Sequence, residues 1–416
     1  MTETALITND AVVFGLLVVI LAAIFHTSGS KAPGWQRFYK IVPTVLLAYF
    51  IPGILNSLGI IDGASSGIYP VARDYLLPTS LVLLTLSVDM RSIMRLGPKA
   101  LIMFLAGTLG VVIGGPIALA IGGMIHPNLL GDIGAESTWR GMASQAGSWI
   151  GGGANQAAMK EVFDAGPVIF GKFVAVDIVL ANLWLAVLLF VAGRAPEIDA
   201  RMGADTSAID ALKARIETFQ RETARLTGFD DLMVILGLGF GVTALSHWVA
   251  GILVPWITAN LPGAERYSLT SNFFWVVVVA TTLGLVLSFT RARNYEGAGA
   301  SKIGSACLYI LVAAIGMQMD IRTVFSDPEL FVIGAIWIAV HAVVLIIVAR
   351  LIKAPMFYLA VGSQANIGGA ASAPVVASAF HPALAPVGVL LAVLGYALGT
   401  YAAYLAGLLL RMVAGA

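Results

Sequence analysis

From residue 100 to residue 125 the chain reads ALIMFLAGTLGVVIGGPIALAIGGMI, an apolar run without a charged side chain. About 20 such residues in a helix cross the roughly 30 Å of hydrocarbon in a bilayer, so the run fits a membrane span. Nine more are read at 10–26, 41–60, 74–89, 167–193, 231–256, 271–290, 304–319, 330–349 and 385–410. Inside lipid every backbone N–H and C=O must find a partner within the protein, and a helix pairs them within each segment. The expected fold class is therefore an all-α polytopic membrane protein. A composition of 59% hydrophobic and 11% charged residues belongs to the same class. With a formal net charge of +1, nothing points to nucleic acid as a partner, and membrane lipid is the expected surrounding. The lone cysteine, Cys307, excludes an intrachain disulfide and a cysteine-built metal site. The N-terminal MTETALITND has neither a basic n-region nor an Arg-rich transit character, so the first apolar run is read as a retained helix.

Two halves of the chain align over most of their length. NDAVVFGLLVVILAAIFH, ending at His26, matches DDLMVILGLGFGVTALSH, ending at His247. VDMRSIMRLGPKALIM, with Asp89 and Arg91, matches MDIRTVFSDPELFVIG, with Asp320 and Arg322. SQAGSWIGGGANQAAM from Ser144 matches SQANIGGAASAPVV from Ser363 after a two-residue gap, and FVAVDIVLAN around Asp177 matches LLAVLGYALG around Leu394. The expected domains are a first membrane repeat at 1–195, a linker at 196–229 and a second repeat at 230–416.

Lys and Arg gather at 31–40, 91–99, 194–225, 291–302 and 350–353. Basic residues concentrate in cytoplasmic loops. All five clusters share one side only if each glycine-rich segment dips into the membrane and returns to its own face. Each repeat then has five transmembrane helices plus one glycine-broken re-entrant segment, and the odd number of crossings makes the repeats inverted. A crossed discontinuous segment is the alternative. Inverted repeats with broken helices are the build of alternating-access transporters.

Irregular backbone at membrane depth is tolerated where it is buried in protein or lines a watery cavity. Gly151, Gly152 and Gly153 form one expected vertex, and Gly368 with Gly369 the other. Ser148, Asn155, Gln156, Ser363, Gln364, Asn366 and Ser372 supply hydrogen-bonding groups beside them, which gives the expected substrate-binding set. Close packing of helices through small residues is the alternative reading of these glycines. Asp177 lies about ten residues into its span, near mid-depth at 1.5 Å per residue. An ionisable side chain there is costly and marks function by default. It is read as the ion-coupling residue with Asn182 in the same span, the coupling ion being Na+ or H+, with no cofactor and no bound metal. Lys172 sits nearer the interface and is not expected to pair with Asp177. Asp89, Arg91, Asp320 and Arg322 read as interfacial caps, His26 and His247 as interfacial residues, and His341 as a packing histidine. In the linker, Ile209, Leu212, Ile216, Phe219 and Leu226 behind a capping box at Ser207 to Asp210 give an amphipathic helix. It either lies on the cytoplasmic surface or pairs across a homodimer.

The ordered blocks, above all SWIGGGANQAAMKEVF and SQANIGGAASAPVVASAF, resemble the integral-membrane family known as domain of unknown function 819. That family is similar to the superfamily of bile-acid symporters, cation/proton antiporters and sodium/glutamate symporters. The resemblance implies a transporter fold and leaves the substrate open. The layout is also similar to 2-hydroxycarboxylate and sodium/glutamate transporters, whose re-entrant loops carry a GGxG vertex. Gly151 and Gly152, then Gly368 and Gly369, match its first two positions, while Ala154 and Ala371 replace its last glycine. Those carriers use a basic residue near the end of the last span, for which Arg411 is the candidate here.

The expected function is ion-coupled secondary transport, sodium ahead of protons, of a small polar organic solute bearing a carboxylate, in the plasma membrane and, in a bacterium, the inner membrane. The alternative is a cation/proton antiporter without organic substrate; a channel ranks below both. No enzyme is expected, because GASSG at 63–67 lacks the strand-to-helix context of a nucleophile elbow and the histidines are scattered.

Overall fold

The computed structural model describes residues 5–42, 44–63, 65–88, 94, 96–203, 227–267, 269–319, 322, 326–381 and 384–416, and it is helical almost throughout. Among the described residues the only extended pairing is an isolated parallel bridge between Ile7 and Ile61. Helix α1 is Asp10–Ser28, α2 is Pro33–Ile41 and α3 is Thr44–Ser57. A short α4, Ile68–Val71, passes through a π-helical turn, Ala72–Leu76, into α5, Leu77–Leu86. Then follow α6, Pro98–Ile125, a broken α7, Thr138–Val162, α8, Pro167–Ala192, and a short α9, Ala195–Met202. The second half holds α10, Phe229–Asn260, α11, Asn272–Ser288, α12, Ala300–Gly316, and α13, Pro328–Ile352. It ends with α14, Met356–Ile367, α15, Gly369–Phe380, and α16, Ala385–Ala414.

Local chemistry accounts for the starts. Pro98, Pro167 and Pro328 open α6, α8 and α13, where a missing N–H costs nothing and φ is already helical. Asn9 Oδ1 accepts from Ala11 N at 3.0 Å and Val12 N at 3.2 Å to cap α1, and Ser271 Oγ accepts from Phe274 N at 3.3 Å to cap α11.

Six helices among the described residues are long and apolar enough to cross a membrane: α1, α6, α8, α10, α13 and residues Val387–Ala414 of α16. The chain is an all-helical multi-pass membrane protein. The other four expected spans are built from shorter helices. α3 has 14 residues, about 21 Å at 1.5 Å per residue, and α11 and α12 have 17 each. The span expected at 74–89 starts earlier, at Ile68, and is a composite of α4, the π-helical turn and α5. Hydropathy assumes a lipid-facing helix, whereas every residue of α5 is buried. A helix end covered by protein need not reach the lipid–water boundary.

α6 packs along α13, and α5 along α12. Around these pairs the partners exchange between the halves: α3 meets α12 as α11 meets α5, and α1 meets α12 as α10 meets α5. α7 packs against α8 as α15 packs against α16. Polar ties join the loops and helix ends in two sets. One set joins Ile7 to Ile60, Arg322 to Ser57, Gly166 to Ala135, Lys172 to Asp327 and Gly131 to Ala414. The other joins Lys99 to Lys353, Met356 to Asp199 and Thr227 to Ala298.

Candidate functional site

The glycine block of α7 is a helix that turns back on itself. Gly152 has φ +74° and ψ −174°, a backbone state in which an L side chain is strained. In an unbroken helix residues 147 and 155 would lie about 12 Å apart along the axis. Here a Cβ placed on Gly147 would come within 2.4 Å of the Asn155 carbonyl oxygen. The two ends of the segment meet as well: the rings of Trp139 and Phe163 lie 5.9 Å apart, Arg140 donates to the Phe163 carbonyl, and Gly166 N donates to Ala135 O at 2.8 Å. The second glycine block does the same. Gly369 has φ +57°, Gln364 Nε2 donates across the break to Ser372 Oγ at 2.7 Å, and the rings of Phe357 and Phe380 at the two ends lie 5.4 Å apart. Gly152 and Gly369 occupy equivalent positions of the two aligned blocks. Gly151, Gly153 and Gly368 flank the vertices with φ values any residue can adopt.

Helix α16 touches both hairpins because glycine clears its surface. A Cβ on Gly395 would meet Ile150 O at 2.5 Å, one on Gly399 would meet Gly151 Cα at 2.6 Å, and one on Gly388 would meet the Ala373 backbone at 2.5 Å. The two asparagines fasten these contacts. Asn155 Nδ2 donates to Gly151 O and Tyr396 O at 3.0 and 3.3 Å, and its Oδ1 accepts from Thr400 Oγ1 at 2.7 Å. Asn366 Nδ2 donates to Phe104 O and Gly362 O at 3.0 and 2.9 Å, and its Oδ1 accepts from Thr108 Oγ1 at 2.8 Å. Both amides are spent on backbone and helix neighbours. The glutamines differ: Gln156 Nε2 and Gln364 Oε1 are buried without a hydrogen-bond partner among the described residues.

Asp177 lies against the first arm of the α7 hairpin. Ser148 Oγ donates to its Oδ2 at 2.6 Å, and Trp149 Nε1 donates to its Oδ1 at 2.7 Å. No salt bridge among the described residues reaches it. The residue is half-buried. At 100° per residue the exposed Val179, Leu183 and Phe190 lie roughly 200–240° around α8 from it. The open side of Asp177 therefore faces into the bundle.

Comparison with known proteins adds a family to this geometry. The family described as "Protein of unknown function (DUF819)" matches residues 15–413. The chain belongs to that family. It is also similar to the "Uncharacterized membrane protein YjcL" of Bacillus subtilis (strain 168), with 24% identity over 388 residues, 88% of this chain and 90% of the relative.

The remaining polar residues of this DUF819 chain sort by placement. Asn182 is exposed on α8 and donates to Ile178 O at 2.7 Å. It turns outward, about 140° from Asp177, and does not join the site. Ser363 Oγ accepts from Trp184 Nε1 at 2.8 Å and pairs with His341 Nε2 at 2.9 Å, while His341 Nδ1 pairs with Gly107 O at 2.9 Å. A carbonyl only accepts and an indole N–H only donates. The neutral ring with its proton on Nδ1 satisfies the whole chain, which fits a packing histidine. Lys172 pairs with Asp327. Arg411 lies over the Trp139 ring at 5.9 Å. Trp139 is thirteen residues before the Gly152 vertex, about 20 Å along the helix, so Arg411 is not at the vertex. Asp89, Arg91, Asp320 and the 207–226 helix lie outside the described residues.

Several site residues had no separate mark in the sequence reading. Gln145 stands at i, i+3, i+4 spacing with Ser148 and Trp149, a face that helical periodicity alone identifies. Trp149 is the indole donor to Asp177. Lys160 is 6% exposed in the return arm; its Nζ lies 2.6 Å from Tyr69 Oη and 2.8 Å from Glu161 Oε1. Glu161 also approaches Arg73 of the π-helical turn, at 3.7 Å. These charges tie the exit of the hairpin to α4 and its continuation, a pairing across some ninety residues that no local pattern announces.

Proposed function

We propose that this chain is an ion-coupled secondary transporter of a small polar organic solute bearing a carboxylate, with sodium as the coupling ion, working by alternating access. The observation that carries the reading is the pair of glycine-broken hairpins packed against one helix, α16, the first of them beside a carboxylate that no salt bridge among the described residues reaches. Broken helices with exposed backbone at mid-depth are how transporters build solute and ion sites. The free amide ends of Gln156 and Gln364 supply neutral hydrogen-bonding groups for the solute, and Asp177 supplies charge for the ion. In this reading the hairpins are re-entrant and the two halves are inverted repeats. The set of ties holding Lys99 and Lys353 falls among the basic clusters and is cytoplasmic by the positive-inside rule, along with the linker. The set holding Ala135, Gly166 and Ala414 is then external, so the hairpins enter from opposite faces. The exchange of packing partners between the halves agrees with this arrangement.

The test is uptake into proteoliposomes of the purified chain, with a panel of radiolabelled small mono- and dicarboxylates under an imposed sodium gradient, proton gradient or neither. Saturable uptake driven by sodium, lost to background in Gly152→Val and Gly369→Val variants that still insert, is the expected result. Uptake that survives in both variants would remove the hairpins from the mechanism, and unsaturable conductance would make the protein a channel.

A further inference from the structure

Helix α2 hangs between two apolar helices on short connectors. Four residues, 29–32, separate it from the end of α1 at Ser28, and two, 42–43, from the start of α3 at Thr44. At no more than about 3.6 Å per residue, four residues reach roughly 14 Å, so α2 stays at the membrane face where α1 ends. Tyr39 fixes its level. The Tyr39 Oη lies 2.6 Å from Thr27 Oγ1 and 3.1 Å from Ile24 O, and Ile24 is one turn, about 6 Å, inside the end of α1. The face of α2 that carries Tyr39 therefore points back along α1 toward the bilayer.

That face is aromatic. Trp35, Phe38 and Tyr39 stand at i, i+3 and i+4, the spacing that puts side chains on one side of a helix. Their ring centroids are 5.1 to 6.1 Å apart. Trp35 and Phe38 are nonetheless 43% and 38% exposed, so the protein itself does not cover them. Aromatic side chains in such a position collect at the boundary of lipid and water.

The other arc of α2 is polar and basic. By helical register Gln36, Lys40 and Arg37 follow Trp35 at about 100°, 140° and 200° around the axis, and Lys31 precedes the helix. Lys31 and Arg37 are exposed, and no salt bridge among the described residues reaches either. Between Asp10 and Asp62 the sequence holds no acidic residue, so no neighbour in the chain offsets these cations.

The two arcs together select the occupant. An amphipathic helix with aromatic residues on one side and cations on the other lies in the plane of an interface, and basic residues there are drawn to anionic lipid. A soluble protein partner would need the apolar face turned to water, which is the opposite of its direction here. A zwitterionic lipid would cover the rings and leave the cations without counter-charge. We infer that α2 is an interfacial helix that binds anionic phospholipid of the cytoplasmic leaflet, with its aromatic arc at the acyl boundary and Lys31 and Arg37 at headgroup phosphates. Binding of this kind needs neither solute nor ion gradient, and the cytoplasmic side follows from the positive-inside rule alone.

The experiment is quenching of tryptophan fluorescence by lipid brominated on its acyl chains. The full chain is reconstituted in vesicles of phosphatidylcholine with a minor share of phosphatidylglycerol, and either one or the other carries the bromine. The protein has eight tryptophans, so the Trp35 signal is taken as the difference between wild type and Trp35→Phe. The expected result is that this signal is quenched, and that phosphatidylglycerol is preferred over phosphatidylcholine at least about fivefold, the worth of one basic contact with an anionic surface. The Lys31→Gln/Arg37→Gln double variant should keep the wild-type unfolding midpoint in detergent, because both side chains are exposed. It should still be quenched, with the preference reduced to near parity, and high salt should reduce it in wild type. Equal quenching by the two lipids in wild type, or a preference that survives in the double variant, would overturn the anionic site. A Trp35 signal that neither lipid quenches would take α2 off the membrane altogether. Both leaflets hold the same lipid, so the outcome is independent of insertion direction and of solute uptake, and the helix stands or falls apart from the transporter reading.

Discussion

At the scale of single residues, the amides of the two vertices divide into pins and free ends. Asn366 spends both amide hydrogens and its oxygen on α6 and its own arm. Asn366→Ala should therefore destabilise the protein by about 2 kcal/mol, since it orphans buried partners, and lower its thermal unfolding midpoint in detergent. Asn182→Leu should leave both the midpoint and solute uptake within error of wild type, because the amide is exposed and bonded to its own helix. Equal damage from the two would mean that Asn182 belongs to the working site. The sequence made the polar cluster legible and Asp177 conspicuous. It did not separate pins from free ends, because the deciding partners, Thr108 for Asn366 and Thr400 for Asn155, lie some 250 residues away.

At the scale of elements, glycine decides whether the hairpins can close. Gly147 abuts the return arm and Gly399 abuts the Gly151 backbone, while Gly241 of α10 has open space around it. The same substitution should thus have opposite effects. Gly147→Ala and Gly399→Ala place a methyl against backbone that cannot move aside and should lower the folded yield and the unfolding midpoint. Gly241→Ala gains helix propensity, worth about 0.5–1 kcal/mol, and should be neutral or stabilising. A neutral Gly147→Ala would show that the arms are not held in contact. The glycine blocks gave away the breaks because so many glycines are costly in an ordinary helix. Helix lengths were less legible: hydropathy marked α3, α5, α11 and α12 as full spans, although burial lets α5 stop short. The two donors Ser148 and Trp149 lie on one helical face with Gln145, a pattern that residue spacing alone carries.

At the scale of the whole molecule, the direction of the chain turns on the first hairpin. Between residues 128 and 197 lie the α7 hairpin and α8. If the hairpin returns to the face it entered, only α8 crosses, and the two positions lie on opposite sides. If the glycine-broken segment traverses the membrane, the two crossings cancel and both positions share a side. The ties between Ala135 and Gly166 and between Trp139 and Phe163 favour the return. Asn128 and Glu197 are both exposed, and Cys307 is buried in α12. In a Cys307→Ala background, Asn128→Cys should react with a membrane-impermeant maleimide in intact cells, and Glu197→Cys only after permeabilisation. The second half repeats the argument with the opposite sign, since its hairpin starts beside the basic residues Arg350 and Lys353. Labelling of both cysteines from one face would make the first hairpin a crossing segment, give the first half an even number of crossings, and remove the inversion on which alternating access rests here.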